Sequence, residues 1–108
     1  MNISSFAAVE PDLHFPVSAI IRAGLSAFTK LYVQQYGSRG LRMNNVLPGK
    51  IDTYPVSAEA VRQIPLARPG TADDVARLVA FLLSDDAAYI ASQDLLVDGG
   101  LVRAMKQA

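Results

Sequence analysis

Leu41-Arg42-Met43-Asn44-Asn45-Val46-Leu47-Pro48-Gly49-Lys50-Ile51-Asp52-Thr53 decides how this chain is read. A short apolar run, expected to be a strand over 41–47, reaches a Pro-Gly corner. It then presents Lys50, Ile51, Asp52 and Thr53 from a loop over 48–58. In open α/β sheets ligands bind just beyond the carboxyl ends of the strands, so such a loop is where a cofactor would be held. Only 40 residues lie upstream, and they contain no glycine-rich phosphate loop. The sequence reads as half of a nucleotide enzyme, without the half that would grip a pyrophosphate.

Upstream, Val17, Ile20, Ile21, Gly24, Leu25, Phe28, Leu31, Tyr32 and Tyr36 recur at spacings of three and four. This predicts a helix over 16–36 with a wide apolar stripe, and with Arg22, Ser26, Lys30 and Gln34 on its other side. Pro16 suits the first helical turn, and Gly37 and Gly40 are expected to end the helix through positive φ. Asn2-Ile3-Ser4-Ser5 reads as the tail of a strand, and 6–15 as a loop.

Downstream, Ser57 is a candidate N-cap for a short helix over 57–64. Thr71, followed by Asp73 and Asp74, opens a second amphipathic helix ending near Ser84. Residues 94–97 read as a last strand closed by Asp98-Gly99-Gly100. The order strand, helix, strand, helix, strand implies parallel α/β units with right-handed crossovers.

Ten basic and ten acidic residues cancel, so no net field favours nucleic acid or anionic lipid. The absence of cysteine excludes disulfides and thiolate chemistry. The single histidine, His14, excludes a His-rich metal site and reads as a surface residue. No apolar run approaches the ~18–20 residues of a membrane span. No secretory signal is evident, so a cytoplasmic location is expected by default.

In order and spacing these pieces resemble the C-terminal half of the short-chain dehydrogenase/reductase family. They are Asn2-Ile3-Ser4-Ser5, Leu25-Ser-Ala-Phe-Thr-Lys30, Arg42-Met-Asn44, Pro48-Gly49-Lys-Ile-Asp-Thr53, Ile64-Pro-Leu-Ala-Arg68-Pro-Gly-Thr71, Ser84-Asp-Asp-Ala-Ala-Tyr-Ile90 and Val97-Asp98-Gly99-Gly100. The resemblance implies an α/β fold, the C-terminal part of a Rossmann-like doubly wound parallel sheet. About three strands, two main helices and a short one are expected. Residues 1–108 would form one partial domain lacking the N-terminal dinucleotide-binding half.

The resemblance also implies an activity and its residues. In the family a serine positions the substrate. A tyrosine thirteen residues later transfers the proton, and a lysine four residues further lowers the tyrosine pKa and binds ribose. The i, i+4 spacing stacks the last two on one helix face. Here Ser5 falls on the serine position, but Ser18 replaces the tyrosine and Arg22 the lysine. Serine is a much weaker acid than a phenol, and a guanidinium is a rigid fork rather than a point charge. Ser26 and Lys30 also form a Ser-x-x-x-Lys, which reads as chance spacing on a helix face.

Pro48, Gly49, Ile51 and Thr53 match the family's cofactor loop, in which the Ile51 backbone would hold the nicotinamide carboxamide and the Thr53 hydroxyl would reach phosphate. Asn44 reads as structural. Tyr89-Ile90-Ala91-Ser92-Gln93 replaces the family's Thr-Gly before Gln, which implies a different entry to the last strand.

The parent activity would be NAD- or NADP-dependent oxidoreduction of a carbonyl or alcohol, impaired in this chain, which alone is expected to be an inactive pseudoenzyme. Such a chain could also arise from a misplaced start or a truncated gene. The alternative is a non-catalytic oligomerisation module or a gene remnant. Partners implied by the resemblance are further copies of the chain, joined through helix 16–36 and the C-terminal strand.

Overall fold

The computed structural model describes residues 1–103. Three strands, β1 (Asn2–Ile3), β2 (Asn45–Pro48) and β3 (Asp94–Val97), form one parallel sheet in the order β1-β2-β3. Three helices join them: α1 (Pro16–Tyr36), α2 (Ala58–Arg62) and α3 (Ala72–Leu83). The α/β architecture expected from the sequence is the one observed.

Strand alternation sorts the helices onto opposite faces. Asn45 points to α1, whose Thr29 bonds its side chain. Val46, the next residue, points the other way and is fully buried against Leu82 of α3 and Ala87. Val75, Leu78, Val79, Leu95 and Val97 complete that apolar layer. The strands advance in one direction while the helices alternate in face, so the two crossovers have opposite hands. This corrects the expectation of uniformly right-handed units. Between β2 and α3 the chain makes a long excursion, from Gly49 to Thr71, that includes α2. A parallel bridge between Ile51 and Gly70 then pins its return.

Strand β2 begins at Asn45, not at Leu41 as expected, and it includes Pro48. Its neighbours set that limit, because Asn2 and Asp94 both pair with Asn45 and no strand residue lies beyond them. Residues ahead of β2 serve the other elements instead. The Arg42 guanidinium donates to the carbonyls of Leu82 and Ile90, satisfying the exposed end of α3. Asn44 donates to the Ile90 carbonyl at 2.9 Å and accepts from the Gln93 N–H at 3.0 Å, the structural role read from the sequence.

Helix α1 corrects the expectation about its stripe. Only Ala19 and Thr29 are buried on it, with Ser18, Arg22, Leu25 and Ser26 half-buried beside them. The apolar residues face outward: Ile20 is 72% exposed, Val17 67% and Leu31 63%. Small and polar side chains allow close approach to the sheet, while Val17, Ile20, Ile21 and Leu31 stay exposed. Gly37 continues in right-handed geometry at φ −59°, so Gly40 alone, at φ +79°, makes the left-handed turn.

Helix α3 starts as its sequence predicts. The Thr71 hydroxyl accepts from Asp74 N–H at 3.1 Å, and the Asp74 carboxylate accepts from Thr71 N–H at 2.8 Å. This reciprocal cap satisfies two backbone donors that the helix itself cannot. The Arg68 guanidinium, and then the Thr71 backbone, hold the Asp74 carboxyl well below the usual carboxylate range. Ser57 caps α2 in the simpler way, accepting from Ala60 N–H at 3.1 Å. Before β3, Ser92 takes φ +63°, a left-handed geometry that glycine accommodates more freely, and donates its N–H to the Met43 carbonyl.

Candidate functional site

The carboxyl ends of β1 and β2 lie side by side, and both feed loops on that side of the sheet. Ser4 N–H donates to Val46 carbonyl at 2.7 Å, and Gly49 N–H to Val97 carbonyl at 3.0 Å, so the loops leave from a fixed base. The Ser4 hydroxyl is buried there without a hydrogen-bond partner among the described residues.

Close backbone approach shapes the 48–53 loop. A Cβ on Gly49 would come within 2.7 Å of Asp98 Cβ and 2.9 Å of Asp98 Cα, so only glycine fits beside the end of β3. Asp98 is itself fixed, its carboxylate accepting from the N–H groups of Gly100 and Val102 at 2.9 Å each. Further along, Gly70 N–H donates to Lys50 carbonyl at 2.8 Å and Asp52 N–H to Gly70 carbonyl at 2.9 Å. Because successive backbone groups alternate in direction, the Ile51 N–H points away from Gly70. The Ile51 carbonyl on that side accepts from Tyr54 N–H at 3.3 Å. Thr53 is exposed on the same loop. The Lys50 ammonium lies over the Phe6 ring, 5.5 Å from its centroid, which joins this loop to the segment after β1.

The remaining residues read from the sequence fall apart from that loop. The Ser5 hydroxyl accepts from Ala7 N–H at 3.2 Å and caps the 3₁₀ turn Phe6–Ala8. On α1, Arg22 Nε donates to Ser18 Oγ at 3.2 Å, so these two residues bond each other one helical turn apart. Serine ends two bonds from the backbone, and this hydroxyl is turned along the helix toward Arg22.

One pair escaped the sequence reading. The Asp12 carboxylate accepts from both the backbone N–H and the ring Nδ1 of His14, each at 2.8 Å. The first of these bonds, then the second, holds the Asp12 carboxyl below its usual range. Asp12 and His14 line an open cleft of about 590 Å³ together with Phe6, Lys50, Gln63 and Leu101. The available signal was the Asp-x-His spacing in a turn before a helix-starting proline, a pattern in which the acid can clamp the ring.

Comparison with known proteins agrees with this geometry. A family model described as enoyl-(acyl carrier protein) reductase matches residues 1–102. The 3-oxoacyl-(acyl-carrier-protein) reductase of Chlamydia pneumoniae is 42% identical over 108 residues, covering 94% of this chain and 44% of that protein. A short chain dehydrogenase from Bacillus anthracis superposes with a TM-score of 0.88 at 29% identity, covering 97% of this chain and 46% of the other. An NADH-dependent reductase responsible for alginate metabolism gives a TM-score of 0.84 at 30% identity, covering 94% and 40% of the two chains. The fold thus defines an α/β protein of the Rossmann-like class. Within that class, the chain belongs to the short-chain dehydrogenase/reductase family. It spans less than half the length of the curated relatives it matches.

The two tight glycines make contrasting predictions. Gly49→Ala forces Cβ into backbone and should cost about 1–3 kcal/mol. At Gly70 a Cβ would meet only the mobile tip of Ile51, Cδ1 at 2.7 Å, so Gly70→Ala should cost less. Urea unfolding of both variants reads the difference, and equal losses would contradict the close-approach account.

Proposed function

We propose that this chain carries the nicotinamide-facing and substrate-facing part of an NAD(P)-dependent carbonyl or alcohol oxidoreductase, without the family's tyrosine–lysine proton relay. One observation carries the reading: the Ile51 N–H, aimed away from the Gly70 bridge on the glycine-fitted loop. A carboxamide needs such a backbone donor held in place, and the bridge provides the hold. Ile51 would bind the nicotinamide carboxamide, and the exposed Thr53 hydroxyl would reach the adjoining phosphate. Pro48 and Gly49 set the corner that aims them. When bound, the dinucleotide would supply the hydride donor or acceptor.

Ser5 is assigned a place beside the substrate, at the head of the turn that lines the cleft. Ser18 and Arg22 take no acid/base role in this reading. An unassisted hydroxyl exchanges its proton too reluctantly near neutral pH, and the neighbouring guanidinium already bonds it. The whole-protein activity of the relatives therefore comes to this chain as cofactor and substrate contact, with turnover by the chain alone expected to be weak or nil.

The direct test is titration of the ¹⁵N-labelled chain with NADH and with NADPH. Saturable shifts centred on Ile51 and Thr53, at a dissociation constant of about 1 mM or tighter (~4 kcal/mol), are expected. Amides of 48–53 that do not respond to either dinucleotide would overturn the reading.

A second reading is favoured by the outward apolar face of α1. Val17, Ile20, Ile21, Phe28 and Leu31 together leave an exposed stripe of the kind that marks an association surface. We assign this face to another copy of the chain, with the end of the sheet at β3 as a second contact. Ile20→Lys should then shift the assembly toward monomer in light scattering. A native chain that is already a stable, cooperatively folded monomer would exclude the assignment.

A further inference from the structure

The cleft beside the 48–53 loop is lined by a hydrogen-bonded Asp12–His14 pair that the family pattern does not assign. An ionised carboxylate has acceptors only, so the 2.8 Å contact between Asp12 Oδ1 and His14 Nδ1 requires the ring to donate through Nδ1. The same oxygen also accepts the His14 backbone N–H at 2.8 Å, which fixes the ring against its own main chain. In the neutral imidazole this leaves the lone pair on Nε2. The His14 side chain is 86% exposed, so a ligand in the cleft can reach that atom.

Position supports a function for the pair. His14 precedes Ser18 by four residues, at the mouth of α1. Helical side chains lean toward the helix N-terminus, so a phenol at position 18 would extend toward the segment that carries His14. The serine in its place stops short and is turned to Arg22. An imidazole needs no neighbouring cation to exchange protons near neutral pH, whereas a phenol does.

From this geometry we infer that His14, oriented by Asp12, is the acid/base residue of the cleft and acts on the hydroxyl or carbonyl oxygen of a small alcohol or ketone. In the oxidative direction Nε2 would take the hydroxyl proton, and a dinucleotide held at the 48–53 loop would supply the acceptor for the carbinol hydride. The O–H and C–H bonds break, and the carbon–oxygen double bond forms. In the reverse direction the imidazolium returns its proton to the carbonyl oxygen. Asp12 is a positioning residue, fixing the tautomer that keeps Nε2 open. Glu10, Lys50 and Arg103 are the other charged groups around the cleft. Phe6 and Leu101 give it apolar wall for a hydrocarbon substrate. The inference rests on the proposed oxidoreductase reading for its hydride partner, but its ligand contact can be measured separately.

The test uses the full chain, whose lone histidine gives unambiguous imidazole signals. Long-range ¹H–¹⁵N correlation spectra report which ring nitrogen carries the proton in the neutral form. Cyclohexanol, a neutral secondary alcohol, is the probe. The expected result is a predominant Nδ1–H tautomer in the native chain, inverted to predominant Nε2–H in Asp12→Ala, which removes the acceptor. A saturable shift of the His14 Cε1–H resonance with cyclohexanol should accompany it. A native Nε2–H tautomer, or a Cε1–H resonance that the alcohol does not move, overturns the inference. NADH added to the same samples separates the two readings. An Ile51 response with a silent His14 defeats only the present inference, and a responding His14 with a silent Ile51 defeats only the cofactor reading.

Discussion

The carboxamide of Asn45 is the group on which the rest of the structure depends. Asn2, Asn45 and Asp94 stand abreast on the three strands, and the middle side chain bonds both neighbours. Asn2 Nδ2 donates to Asn45 Oδ1 at 2.9 Å, and Asn45 Nδ2 donates to Asp94 Oδ1 at 2.8 Å. The second Nδ2 hydrogen goes to Thr29 Oγ1 at 3.1 Å, and the Thr29 hydroxyl donates in turn to the Leu25 carbonyl at 2.9 Å. Every donor of this buried amide is used, and the bonds join three strands and the longest helix. A buried polar group satisfied in this way specifies one register, whereas one left partly satisfied would be costly.

That linkage explains why a sheet with such short strands presents a defined ligand end. Strand β1 contributes two residues, with Ile3 53% exposed on the outer edge of the sheet. The α3 face buries Val46 against Leu82, and the opposite face carries Leu47, fully buried two residues on from Asn45. The α1 face combines the Asn45–Thr29 bond with buried Ala19, and the large apolar residues Val17, Ile20 and Leu31 stay exposed. The polar seam sets alignment on one side of the sheet, and apolar side chains are buried on both sides.

Much of the fold was legible because its signals are local. Thr71 with Asp74 marked the start of α3, Pro16 the start of α1, and the Pro48-Gly49 corner the end of β2. What the sequence hid depends on partners remote in the chain. The period of α1 showed an apolar stripe but not which face met the sheet, because the docking face is defined by Thr29 meeting Asn45 sixteen residues away. The start of β2 is set by where its neighbours begin, and Gly37 looked like a helix end until Gly40 proved to make the turn. At the site, the loop was readable from Pro48 to Thr53. The Asp12–His14 clamp was not, since a lone histidine in a loop shows no partner until the turn closes. Ser18 and Arg22 were singled out in the sequence, and the structure adds that they bond each other.

The 48–53 loop passes close to the end of β3 at Gly49, and Ser18 and Arg22 bond each other on α1. Whether that loop is held in place depends on the seam beneath it. Replacing Asn45 with alanine and following chemical denaturation by far-ultraviolet circular dichroism tests this dependence most directly. Loss of the amide strands Asn2 and Asp94 and unfastens α1, so stability should fall by at least about 2 kcal/mol. A variant that unfolds within ~0.5 kcal/mol of the native chain, the range of ordinary surface substitutions, would contradict the account.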